Sequence, residues 1–136
     1  MSTAAQRPVA VIGLAAIAAI EGIALLGYAV FDTVEGLRQG ATGPADVSNV
    51  PAIILLVVIL VIFGLGLVWV ARGWWRLRRA ARAPFLLAQV LAVLVGYELA
   101  QSEGPVERTV GIAMALVAVV GIVLCFLPPV TRALEP

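Results

Sequence analysis

Few side chains in this sequence could do chemistry, and the most unusual of them is a carboxyl. Glu21 interrupts a long apolar run from Pro8 to Phe31, and it lies about 20 Å from the start of that run if the run is helical. An acidic side chain at that depth of a bilayer costs about 2.5–3.5 kcal/mol on insertion scales unless it is neutral, paired or wetted. Because such a carboxyl can bind and release a proton, Glu21 is a candidate proton site.

Three other polar residues belong to a later apolar run, Pro84 to Ala100. Tyr97 lies 13 residues from the start of this run, as Glu21 does in the first run, so we expect the two side chains at the same depth. We predict that the Tyr97 hydroxyl donates to Glu21, with Glu98 one residue nearer the outer surface. Gln89 is expected to bridge two helices through its amide. For Glu21 we favour a structural role, as a neutral or hydrogen-bonded carboxyl that fixes helix packing, and the proton site is the alternative.

The remaining residues do not assemble into a catalytic or metal centre. The chain has no histidine and one cysteine, Cys125, whereas metal sites and activated nucleophiles are built from His, Cys and carboxylates held close together. We therefore expect no enzymatic activity, no metal and no cofactor. Cys125 is expected to be a reduced packing residue.

The amino-acid composition predicts whether the protein is surrounded by water or by lipid. Of the 136 residues, 62% are hydrophobic and 12% charged, whereas about a quarter of a soluble domain is charged. A water-soluble globule of this size lacks the polar surface it would need. A disulfide-stabilised secreted domain and a nucleic-acid-binding domain are also excluded, because there is one cysteine and the net charge is +1. The sequence therefore predicts an integral membrane protein.

Four apolar runs are candidates to cross a hydrocarbon core about 30 Å thick, which takes about 20 helical residues. They cover residues 8–31, 51–71, 84–100 and 110–130. Proline opens each of the first three, where its missing N–H costs nothing, and the Pro128-Pro129 pair should end the fourth. We predict an all-α, up-down-up-down four-helix bundle in a single transmembrane domain, residues 1–136. The 32–50 connection is long for a bundle, and its first part could extend the first helix.

The connections between the runs differ in charge, and this difference predicts the orientation. The first and third carry a net charge of −2 each, and the second carries +5. The positive-inside rule places the second connection in the cytoplasm, together with Arg7 and Arg132 near the two termini. We therefore predict cytoplasmic termini and a multi-pass protein of the inner (plasma) membrane.

The second connection, RGWWRLRRAAR, combines arginine with tryptophan. Tryptophan is enriched at the headgroup level, and arginines there attract anionic lipids. An RNA or an acidic partner is the alternative ligand, but topology alone accounts for the charge, so no nucleic acid is expected. The residues predicted to contact lipid headgroups are Arg72, Trp74, Trp75, Arg76, Arg78, Arg79 and Arg82.

The exclusive use of arginine over lysine, with Ala, Val, Leu and Gly dominating, is typical of a GC-rich genome. Across its length the chain resembles the uncharacterised four-span integral membrane proteins of actinobacteria, a resemblance of composition and topology that carries over no functional residue. Two hypotheses follow. The first is a non-catalytic structural or accessory subunit that packs with itself or with a larger membrane complex. The second is a proton-coupled carrier or channel subunit that uses Glu21.

Overall fold

The protein is helical throughout the part that the computed structural model describes, residues 7–39 and 50–135. No strand occurs in these residues, so the predicted all-α class is confirmed, and four of the helices are long and apolar enough to cross a membrane. The helices are α1 (Val9–Gln39), α2 (Val50–Trp75), α3 (Arg82–Ala100), α4 (Pro105–Cys125) and α5 (Pro128–Ala133), with a 3-10 turn at Arg79–Ala81.

The helix ends depart from the limits of the apolar runs, because hydropathy does not mark caps. α1 continues to Gln39, which agrees with the expectation that the first part of the 32–50 connection could extend the first helix. Residues 40–49 of that connection lie outside the described residues. α4 begins at Pro105 and carries Glu107 in its first turn, where a carboxylate complements the helix dipole. The fourth helix therefore begins and ends five residues before the limits 110–130 of the fourth apolar run.

The proline pair ends α4 as predicted, but it also starts another helix. α4 stops at Cys125, and Pro128 stands in the first turn of the short helix α5. Proline suits this position because the first turn of a helix has no intrahelical partner for its N–H groups. The chain therefore turns back after α4 rather than simply ending there.

The chain divides into two compact units. One spans Ala19–Trp69 and is called the Glu21 unit. The other combines the residues up to Ala18 with those from Val70 onward and is called the arginine unit. The prediction of a single transmembrane domain remains a prediction.

In the arginine unit, α3 and α4 form an antiparallel pair that glycines bring together. A Cβ atom on Gly96 would lie 2.8 Å from the carbonyl oxygen of Gly111 and 2.9 Å from the backbone nitrogen of Ala115. A Cβ atom on Gly111 would lie 2.5 Å from the backbone nitrogen of Ala100. Each helix thus contributes a Gly-xxx-Ala pair, the small-residue spacing that lets two backbones approach closely in membranes. The predicted hairpin of the third and fourth helices is confirmed.

In the Glu21 unit, α1 and α2 also run antiparallel and also meet at glycines. A Cβ atom on Gly22 would lie 2.8 Å from the carbonyl oxygen of Gly64 and 3.0 Å from the backbone nitrogen of Val68. Nearer the other end of the pair, Gly36 faces Ile53 at 3.7 Å from its would-be Cβ. Residue numbers rise along one helix as they fall along the other, which is the antiparallel order predicted for neighbouring spans.

Candidate functional site

Glu21 lies beside the closest contact of its unit. It immediately precedes Gly22, whose backbone faces Gly64, and it is half-buried, with the oxygen Oε1 fully buried. In the 31-residue helix α1, this position is about 18 Å from the first residue. The carboxyl therefore belongs to the interior of an apolar helix, at the place where a second helix comes nearest.

Tyr97 and Glu98 lie near the end of α3, in the arginine unit. Both side chains are exposed, Tyr97 by 62% of its surface. Glu21 belongs to the other unit, so the predicted hydrogen bond between Tyr97 and Glu21 remains a prediction.

Gln89 lies between α3 and α4. Its side chain is completely buried, and a Cβ atom on Gly121 would lie 3.2 Å from its Cδ and Oε1 atoms. The ring of Phe85 approaches the same glycine from one turn earlier in α3. Gly121 therefore provides the space in which an amide and an aromatic ring pack against α4, the interhelical location expected for Gln89.

Trp74 does not occupy the headgroup position predicted for it. Its side chain is completely buried and meets Phe85 edge to face, with the ring centroids 5.7 Å apart. The contact forms because the turn after α2 brings the start of α3 back over the end of α2. A buried ring cannot contact headgroups, so this prediction is wrong for Trp74, whereas Trp75 remains 49% exposed.

The turn that buries Trp74 is a Schellman motif with an unusual residue at its left-handed position. The N–H of Arg78 donates to the carbonyl of Gly73 at 2.9 Å, and the N–H of Leu77 donates to the carbonyl of Trp74 at 3.0 Å. Leu77 has φ 55°, where glycine is the usual residue. The motif reverses the chain directly into the Arg79–Ala81 turn.

Three arginines at this end of the arginine unit have specific contacts. The Arg7 guanidinium lies 4.5 Å from the ring centre of Trp75, and that of Arg82 lies 5.0 Å from the ring centre of Phe126. The Nε of Arg79 donates to the carbonyl oxygen of Leu134. These contacts bring the start of α1, the second connection and α5 to one end of the unit. This arginine end comprises Arg7, Arg72, Arg76, Arg78, Arg79, Arg82 and Arg132.

An open cavity of about 310 Å³ lies at the arginine end, next to α5. It is lined by Arg79, Arg82, Thr131, Leu134 and Glu135. Two guanidinium groups and a hydroxyl offer hydrogen-bond donors, and one carboxylate opposes them, so the lining favours a small anion. Among the described residues, no group of three or more His, Cys, Asp and Glu side chains could hold a metal ion.

The sequence predicted only part of this cavity. Arg79 and Arg82 were expected to contact headgroups, but the contributions of Thr131, Leu134 and Glu135 were missed. Their signal was the Pro128-Pro129 pair, which was interpreted as a helix end although it also favours a helix start.

No family model, no curated protein and no solved structure matches this chain.

Proposed function

We propose that this chain is a four-span protein of the inner (plasma) membrane with both termini in the cytoplasm. The 19 residues of α3 give a length of about 28 Å, close to the thickness of the hydrocarbon core. The arginine end lies at one end of the α3/α4 pair, and the turn near Glu103, Glu107 and Arg108 lies at the other. This asymmetry is what the positive-inside rule expects of a spanning hairpin.

Reporter fusions test the orientation. A reporter that is active only in the cytoplasm, fused after Pro136, should give full signal, and the same reporter inserted between Ser102 and Glu103 should give none. The opposite pattern would contradict the proposed orientation.

We further propose a non-catalytic structural or accessory role, in which the chain packs with a second copy of itself or with a larger membrane complex. The observation that favours this role is Gly66, an exposed glycine of α2 with no atom within 4 Å of its would-be Cβ. α2 has the highest mean hydropathy of the four candidate spans, and only 17% of its most apolar stretch is buried. A small residue on such a surface lets another helix approach closely.

Oligomer size in a mild detergent tests this role. The wild type should elute as a homo-oligomer or with a stoichiometric partner, and Gly66→Leu should reduce the complex without unfolding the chain. Leu55→Phe is the matched control, because it adds bulk to an already large exposed side chain of the same helix. A wild type that is monomeric and without a partner would contradict the proposal.

The second candidate function is a proton-coupled carrier or channel subunit, and the partly buried carboxyl of Glu21 favours it. Purified protein in liposomes that contain a pH-sensitive dye should then conduct protons under an applied potential. Glu21→Gln should abolish the flux, and Glu103→Gln, at an exposed carboxyl in the turn before α4, should leave it unchanged. A wild type without flux would contradict this function and leave the accessory role standing.

A further inference from the structure

We propose that the cavity next to α5 is a binding site for a phosphate group, supplied by the headgroup of an anionic lipid. Its donors are the guanidinium groups of Arg79 and Arg82 and the hydroxyl of Thr131. The site rests on the proposed embedding in a membrane, but it depends neither on a partner protein nor on proton flux.

Both arginines are oriented by contacts that leave donors for a ligand. Arg79 uses Nε to bind the carbonyl of Leu134, and its two terminal nitrogens carry four further N–H donors. Arg82 is half-buried and stacks on the ring of Phe126, which limits the freedom of its side chain. A planar guanidinium held in this way suits bidentate binding of phosphate oxygens.

Thr131 adds a donor that can be redirected. Its hydroxyl points at the carbonyl of Leu127 at 3.4 Å, a long distance for an O–H donor. A phosphate oxygen is a stronger acceptor, so the hydroxyl can turn toward it without losing a good bond.

The position of the cavity favours a lipid phosphate over a free one. One candidate span begins at Arg79 and another ends at Cys125, and the cavity lies where these two ends meet. Span ends lie at the level of the lipid headgroups.

The Glu135 carboxylate repels an anion in this cavity, so its removal should raise the affinity for phosphate. This exposed carboxylate lines the same space as the two arginines. Glu135→Gln should therefore strengthen phosphate binding by about threefold, whereas Thr131→Val should weaken it by about as much. A gain in affinity cannot result from misfolding.

Native mass spectrometry in a mild detergent, with phosphatidylglycerol titrated against phosphatidylcholine, tests the site. The wild type should retain phosphatidylglycerol preferentially, and Arg79→Gln with Arg82→Gln should weaken its binding at least tenfold. Arg72→Gln with Arg76→Gln is the matched control, since it removes the same charge from exposed arginines outside the cavity. Circular dichroism checks that each variant is folded.

The proposal is overturned if the two double variants lose the same affinity, because the binding would then be general attraction to the arginine end. It is also overturned if Glu135→Gln weakens binding. A further titration with inorganic phosphate distinguishes the sources. Failure of excess phosphate to displace the lipid supports the headgroup, and displacement at equal concentration overturns the lipid as the source.

Discussion

The two antiparallel helix pairs are closed by opposed glycines, but the surroundings of those glycines differ. In the α3/α4 pair, the would-be Cβ atoms of Gly96 and Gly111 both meet backbone atoms first. In the α1/α2 pair, the would-be Cβ atom of Gly22 also meets backbone first, but that of Gly64 meets the Leu26 side chain first, at 2.8 Å. A backbone held by a neighbouring helix cannot give way cheaply, whereas a leucine side chain can change its rotamer.

The polar residue near each glycine contact also differs between the two pairs, both in its burial and in whether it can ionise. Gln89 lies two turns before Gly96 on the same face of α3 and is completely buried. Glu21 adjoins Gly22 in α1 and is only half-buried. A neutral amide can be enclosed by apolar neighbours at modest cost, but a carboxyl needs some access to water, a partner or a proton. The pair in which both glycines meet backbone therefore holds the neutral group, and the pair in which Gly64 meets a movable side chain holds the ionisable one.

The largest expected effect is at the tighter contact. Gly111→Ala places a methyl group against the backbone of α3 and should destabilise the protein by about 3 kcal/mol. Unfolding of the purified protein in mixed micelles of increasing denaturing-detergent content, followed by circular dichroism, measures this loss. Gly27→Ala is the control, because its new Cβ meets open space and alanine favours a helix over glycine. Equal stability of the two variants would contradict the close approach of α3 and α4.

A second test introduces the ionisable group into the tighter pair. Gln89→Glu puts a carboxyl of the same shape into a fully buried position, and we expect a loss of about 2.5 kcal/mol near neutral pH. The loss should shrink in acid, because the protonated carboxyl is neutral like the amide. Gln89→Leu removes the hydrogen-bonding atoms without adding a charge, so it should lower the free energy of unfolding by about 1 kcal/mol at every pH. A pH-independent loss for Gln89→Glu would contradict the enclosure of this position.

Local patterns in the sequence predicted the helices well. The apolar runs and their opening prolines predicted four long helices, and the short link after Ala100 predicted the antiparallel pairing of α3 and α4. These features depend on residues that are neighbours along the chain, so hydropathy and proline positions carry the information.

The candidate sites were harder to predict, because they depend on contacts between distant residues. Trp74 was expected at the headgroups, since an indole beside arginines is typical of that level. Its burial against Phe85 follows from the left-handed turn at Leu77, and no glycine marks that turn in the sequence. The cavity likewise joins residues near 80 to residues near 131 through a helix that two prolines start. Hydropathy predicts neither the left-handed turn at Leu77 nor the helix that begins at the proline pair.

A smaller loss is expected at the glycine contact of the Glu21 unit. Gly64→Ala brings a methyl group against Leu26, which can move aside, and within 3.0 Å of the Gly22 carbonyl oxygen, which must give by a few tenths of an ångström, so it should cost about 1–2 kcal/mol. The same detergent unfolding experiment compares it directly with Gly111→Ala. A variant with both Gly64→Ala and Leu26→Ala should lose less than the sum of the single changes, because the second change removes the obstacle to the first. A loss as large as that of Gly111→Ala would show that Leu26 cannot move aside and that the two glycine contacts are equally rigid.

The smallest change in stability is expected at the carboxyl itself. Glu21→Gln keeps the shape of the side chain and removes its charge, and since the position is half-buried, the free energy of unfolding should change by less than about 1 kcal/mol. Glu21→Leu removes every hydrogen-bonding atom and serves as the companion variant. If the carboxyl only fixes helix packing through hydrogen bonds, Glu21→Leu lowers stability while Glu21→Gln preserves both stability and oligomer size. If Glu21→Gln raises stability while proton flux disappears, the wild-type carboxyl is kept at an energetic cost. A cost of this kind is expected where an ionisable group serves a function rather than packing.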